Sequence, residues 1–175
     1  MRRHLLALCA LPLFALPLLA ALQQPDWTVS LRTIGPLRVG MTVAQARRAA
    51  PGMLTTGAVQ ANCGVLSTRD EQVHLFTRAG RIEIMRVYGN PRIRTRSGIH
   101  IGSTPQEVMD AYRGQIMEAQ GSEGVPTLVY VPRDAQDSLY RLVFVLEDDL
   151  VSAIFVGSLP HIMELGESSP CYNGG

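Results

Sequence analysis

The chain has 175 residues, 46% hydrophobic and 18% charged, with a formal net charge of +1. That length allows one domain or two small lobes. The composition excludes a disordered tail protein, which would be polar and highly charged. Near-neutrality excludes a strongly basic nucleic-acid binder on bulk charge, and three cysteines are too few for a disulfide-dense mini-protein.

The N-terminus comes first. Met1-Arg2-Arg3-His4 is a short cationic start, and Leu5 to Leu22 then runs without a charged side chain. With the small-residue exit at Ala20-Ala21, this predicts a secretory signal peptide over residues 1–22. An uncleaved anchor is the alternative, because the apolar run approaches spanning length, although Pro12 and Pro17 interrupt a helix. After cleavage, 14 Arg face 15 acids and two cysteines remain, Cys63 and Cys171. In an oxidising compartment such a pair is expected to close a disulfide. Export, to the periplasm or outside the cell, is the expected localisation, with no stable membrane span left after cleavage.

A duplication organises the rest. Leu37-Arg38-Val39-Gly40-Met41-Thr42-Val43-Ala44-Gln45-Ala46 recurs at an offset of 62 as Ile99-His100-Ile101-Gly102-Ser103-Thr104-Pro105-Gln106-Glu107-Val108. Thr42 with Gln45, and Thr104 with Glu107, have the spacing of capping boxes, so each copy opens a helix. Pro105 suits a first helical position. Pro51-Gly52 and Arg113-Gly114 stop the helices after two to three turns. Val43, Ala46 and Ala50 form one apolar face, and Val108, Ala111 and Tyr112 the other.

Strands follow each helix. The first unit predicts strands at 72–77 and 81–88, with weaker ones at 53–56 and 65–67. The second predicts strands at 127–131, 140–146 and 150–156, with a weak one at 115–119. Gly80-Arg81-Ile82 and Asp149-Leu150-Val151 read as equivalent hairpin exits. Gly89-Asn90-Pro91 marks the turn between units. The expected fold is α+β: two tandem α-then-antiparallel-β units, residues 31–89 and 96–157, forming one pseudo-symmetric domain with short helices on one sheet face. The tail, 158–175, is expected to be stapled back through Cys171.

Val39-Gly40-Met41-Thr42-x-x-Gln45-Ala46 resembles the Val-Gly-Met-Thr-x-x-Gln-Val signature of SmpA/BamE-like envelope proteins, and Ile101-Gly102-Ser103-Thr104-x-x-Glu107-Val108 resembles a second copy. Two such units in tandem, in an exported chain, look like the β-lactamase-inhibitor-protein type of architecture. The resemblance implies helix pairs on a single curved antiparallel sheet, and binding of other proteins through the sheet or its loops. It supplies no catalytic residues.

Charge divides between the halves. Residues 27–115 hold 12 Arg and 5 acids, whereas residues 116–175 hold 2 Arg and 9 acids. Such a split is either internal charge matching or a dipolar surface offered to a partner. Arg86, Arg92, Arg94 and Arg96 are the candidate contacts for an anionic partner. Alternation puts Arg92, Arg94 and Arg96 on one face of an extended segment, as an anion contact or as a solubilising edge.

Catalytic patterns are scarce. No Gly-x-Ser-x-Gly elbow, His-Glu-x-x-His motif or phosphate loop occurs. His74 reads as a strand-surface residue, and Glu147-Asp148-Asp149 as a hairpin tip rather than a calcium loop. No cofactor and no metal is expected. Nucleic acid is disfavoured by the lack of an aromatic–basic platform. The expectation is therefore a protein-binding module, inhibitory or structural, with Tyr88, Tyr130 and Tyr140 as candidate hot spots and an anionic envelope component as a candidate contact. The alternative is a small hydrolase or ligand carrier whose site assembles only in three dimensions.

Overall fold

A computed structural model describes residues 26–60, 62–121 and 124–163. The expected signal segment, residues 1–22, and Cys171 lie outside the described residues.

Both helices form where the capping boxes place them, as α1 (Val43–Ala49) and α2 (Pro105–Ala111). Thr42 Oγ1 accepts from the Gln45 N–H at 3.2 Å, and Gln45 Oε1 accepts from the Thr42 N–H at 2.8 Å. The Thr104–Glu107 box repeats this reciprocity, at 3.3 and 2.7 Å. Each helix turns one small apolar stripe to the core, with Ala46 and Val108 fully buried.

Four strands follow each helix. The first half has β4 (Leu54–Gln60), β5 (Cys63–Thr68), β6 (Val73–Arg78) and β7 (Arg81–Tyr88). The second has β9 (Ile116–Gln120), β10 (Pro126–Tyr130), β11 (Tyr140–Glu147) and β12 (Leu150–Ser158). They form one eight-stranded antiparallel sheet in the order β4-β5-β6-β7-β12-β11-β10-β9. The two halves thus meet along β7 and β12, and the sheet is symmetric about that seam.

The duplicated loops are fastened identically. Gly40 N–H donates to Ile82 C=O at 2.7 Å, and Ile82 N–H to Met41 C=O at 2.8 Å. In the second copy Gly102 N–H donates to Val151 C=O, and Val151 N–H to Ser103 C=O, both at 2.8 Å. The equivalence of the two hairpin exits is therefore physical. It needs φ of +87° at Gly40 and +93° at Gly102, values that side chains with a Cβ rarely adopt.

The α+β class holds, but the single sheet that the resemblance implied is one of two. The large sheet is accompanied by a second, four-stranded mixed sheet of β1 (Thr28–Val29), β2 (Thr33–Ile34), β3 (Leu37–Arg38) and β8 (Arg94–Thr95), in the order β3-β2-β1-β8. β1 and β8 run parallel, pairing Val29 with Thr95. Strands of two residues leave no alternation to read in a sequence. This small sheet and the helices share a core with one face of the large sheet, in which Val29, Ile34, Leu37, Leu75, Met85, Phe144 and Ile154 are fully buried. A second, smaller apolar cluster occupies the opposite face of the large sheet, called the open face below. It contains Phe76, Ile84, Val129, Val143, Ala153 and Phe155, with Ile162 of a 3-10 turn (His161–Met163) folded onto it.

Candidate functional site

The open face is built from side chains that alternate away from the core. Pairing aligns them in two rows across the strands. One runs His74, Arg86, Phe155, Val143, Val129 and Met117. The next runs Tyr88, Ala153, Val145, Thr127 and Ala119. Between the rows lies a cavity of about 300 Å³, with Arg86 and Tyr88 on β7, Ala119 and Gln120 on β9, and Ile162 and Met163 at its margin. Among the described lining residues the only ionisable groups are the Arg86 guanidinium and the Tyr88 phenol.

Arg86 is held by what surrounds it. Its Cζ lies 5.6 Å from the Tyr88 ring centroid, 5.9 Å from Phe76 and 6.0 Å from Phe155. These are distances at which a cation is attracted to a ring face. Its Nη2 donates to His74 Nδ1 at 2.9 Å. Arginine cannot accept, so Nδ1 must, and the imidazole proton sits on Nε2, which donates to the Glu71 carbonyl at 2.9 Å. Burial, reinforced by the Arg86 charge, holds the His74 pKa below its usual value. His74 is thus a neutral acceptor that orients a cation. Arg86 Nε is buried without a hydrogen-bond partner. Among the described residues no carboxylate pairs with this guanidinium.

Gly157 shapes the same face. A Cβ there would meet Ile84 Cγ1 at 2.9 Å, the Glu83 carbonyl at 3.0 Å and Ile162 Cδ1 at 3.1 Å. Glycine therefore lets the 3-10 turn seat against the sheet, where Ile162 becomes fully buried.

The sequence grouped four arginines that the fold separates. Arg86 belongs to the open face of the large sheet, whereas Arg92, Arg94 and Arg96 flank or lie in β8 of the small sheet. The alternation within that run is real: all three are exposed while Ile93 and Thr95 between them are buried. The tyrosines also part. Tyr88 is 56% exposed on the open face. Tyr130 points the other way, its hydroxyl accepting from Gln115 Nε2 at 2.9 Å and its ring 5.0 Å from that of Tyr112. Tyr140 lies under the Arg32 guanidinium, 4.3 Å away. A single strand row cannot carry all three, because Tyr88 occupies the open-face phase and Tyr130 and Tyr140 the core phase.

Arg96 borders a second cleft of about 420 Å³, with Arg32, Arg38, Tyr112, Tyr130 and Asp137. Its charge is partly answered, because Arg32 pairs with Asp137. That pair joins the two halves. The other two arginine–carboxylate pairs among the described residues, Arg78–Glu83 and Arg113–Asp110, stay within one half. The opposite charges of the halves are mostly not matched to each other there. Cys63 is disulfide-bonded; its expected partner, Cys171, lies outside the described residues.

No sequence motif marks Phe76, Val143, Val145, Ala153 or Phe155, and His74 reads from the sequence as a strand-surface residue. One signal was available. Val151, Ala153, Ile154, Phe155 and Val156 form a nearly unbroken apolar run, although an antiparallel strand with one wet face should alternate. Such a run marks a strand with apolar neighbours on both faces.

No protein-family model matches this chain, and no curated protein does. Its fold is similar to the crystal structure of the uncharacterized protein yfeY from Escherichia coli, with a TM-score of 0.50 and 18% identity, over 74% of this chain and 99% of that one. At that identity the likeness concerns the fold.

Proposed function

We propose that this chain is an exported binding module that carries a ligand in the cavity on the open face of its large sheet. The character of that cavity carries the reading: apolar walls with one guanidinium that has no carboxylate partner among the described residues. Catalysis would call for a nucleophile or carboxylate converging with a base. An apolar hollow with one or two polar groups to fix orientation is the general form of a small-molecule binding site. The signal segment, the expected Cys63–Cys171 staple and the resemblance of the tandem units to SmpA/BamE-like envelope proteins all agree with a binding role outside the cytoplasm.

A protein partner is the second reading, favoured by the exposure of Tyr88 beside Arg86, since tyrosine and arginine dominate interface hot spots. Photo-cross-linking in the host envelope separates the two. A photoreactive residue at Ala119 is expected to capture a small ligand, seen by mass spectrometry of the intact protein, while the same residue at Arg48, exposed on α1, captures none. Protein-sized adducts at Ala119 would favour the second reading. Adducts confined to Arg48 would overturn both.

A further inference from the structure

The reading of the open face as a binding site leaves the ligand's chemistry unnamed, and the following rests on that reading. We propose that the cavity takes a long-chain carboxylate, its carboxylate on the Arg86 guanidinium and its chain laid across β12, β11 and β10 toward β9.

The head site is an unanswered charge. A guanidinium has five N–H donors, and one of those of Arg86 is spent on neutral His74. Three rings surround the group and Nε is buried without an acceptor. A partly desolvated cation without a counter-charge is costly, and a bound anion removes that cost. The planar fork of arginine matches a carboxylate with two parallel hydrogen bonds.

The charge available sets the head's valence. Arg86 is the only cation among the described lining residues. A monoanion is balanced by one guanidinium, whereas a dianionic phosphate would leave a negative charge among apolar walls.

The tail site follows from strand order. Leaving Arg86, a chain crosses Phe155 on β12, Val143 and Val145 on β11, and Val129 on β10 before reaching Ala119 on β9. At about 4.8 Å between strands, that path is roughly 19 Å long. Such a span suits a long acyl chain rather than a short one.

The test is calorimetric titration of the intact, oxidised protein with dodecanoate, dodecanol and dodecyl phosphate, each below its micelle-forming concentration. The wild type is expected to bind dodecanoate about tenfold or more tightly than dodecanol, as a charged hydrogen-bonded pair requires. Arg86→Gln should erase that preference by weakening dodecanoate binding, while dodecanol still binds. Ala153→Phe, which fills the cavity, should abolish binding of both. Equal affinity for dodecanoate and dodecanol in the wild type overturns the proposal, as does a preference that survives Arg86→Gln. Tighter binding of dodecyl phosphate than dodecanoate overturns the monoanionic head. If dodecanoate fails while cross-linking at Ala119 still captures a small ligand, the carboxylate assignment falls and the carrier reading stands. If both fail, both fall.

Discussion

On the core side of the large sheet the two halves correspond position by position. The equivalence of Ile82 with Val151 sets Leu75 against Phe144, Met85 against Ile154 and Val87 against Val156, all buried and apolar. Even the irregularities agree. The register shifts between Phe76 and Thr77 on β6, and between Val145 and Leu146 on β11. On the open side the same equivalence sets His74 against Val143 and Arg86 against Phe155. Arg86 and Phe155 also pair directly across the seam between β7 and β12. The caps, the glycine bends and the core fix the duplicated backbone, whereas the open face carries no such constraint and has diverged. The one cation among the described lining residues of the cavity arises at a position where the halves differ.

The largest expected effect tests whether the halves are one folding unit. Phe144→Ala should cost about 3–5 kcal/mol and Leu75→Ala about 2–5 kcal/mol. Both side chains belong to one core that spans the seam. Urea unfolding followed by fluorescence and circular dichroism should therefore show a single shifted transition for each variant. Two separate transitions would make the halves independent domains and reduce the correspondence to shared ancestry.

The same correspondence explains what the sequence disclosed. Thr-x-x-Gln and Thr-x-x-Glu before apolar stripes are local signals, and both helices formed where those signals placed them. Strands of five or more residues bounded by Gly or Asp turns were legible too, as at Arg81–Tyr88. The small sheet was not, because a two-residue strand such as Arg94–Thr95 acquires its identity from a partner 66 positions away, Thr28–Val29. The cavity was illegible for a related reason. Its walls come from five strands, and only the register of their pairing puts Arg86 beside His74 and Phe155. The Arg92–Arg96 run drew attention because it is continuous in sequence, while Arg86 takes its setting from residues far from it in the chain.

Smaller effects probe the duplicated entry to each helix. A Cβ at Gly40 or Gly102 meets no atom within 4 Å, so Gly40→Ala and Gly102→Ala should each cost only the backbone strain, about 1–2 kcal/mol. Thr42→Ala and Thr104→Ala should each cost about 1 kcal/mol through loss of the cap. The matched bonds predict equal losses in the two halves, and near-additive losses in the Thr42→Ala/Thr104→Ala double variant. A loss confined to one half would show that the helix of the other half is held mainly by tertiary contacts and that the symmetry of the caps is only geometric.

The smallest effect isolates the pair that breaks the symmetry. The folded pKa of His74 lies below its ordinary value of 6.5, through burial and the neighbouring Arg86 charge. Above pH ~6.5 the imidazole is neutral in both folded and unfolded chains, and its contribution to stability is fully present. As pH falls below that value the unfolded chain takes up the proton first, so stability declines. The decline ends once the folded imidazole is protonated as well. In that state His74 Nδ1 carries a hydrogen, can no longer accept from Arg86, and places a second cation against the guanidinium. His74→Val installs the residue found at the equivalent position in the second half. It should remove this acidic slope from a series of urea unfolding curves between pH 5 and 7, while leaving the neutral-pH circular dichroism unchanged. A slope that survives His74→Val would belong to another titrating group, and the symmetry-breaking pair would then contribute orientation at the site without contributing to acid sensitivity.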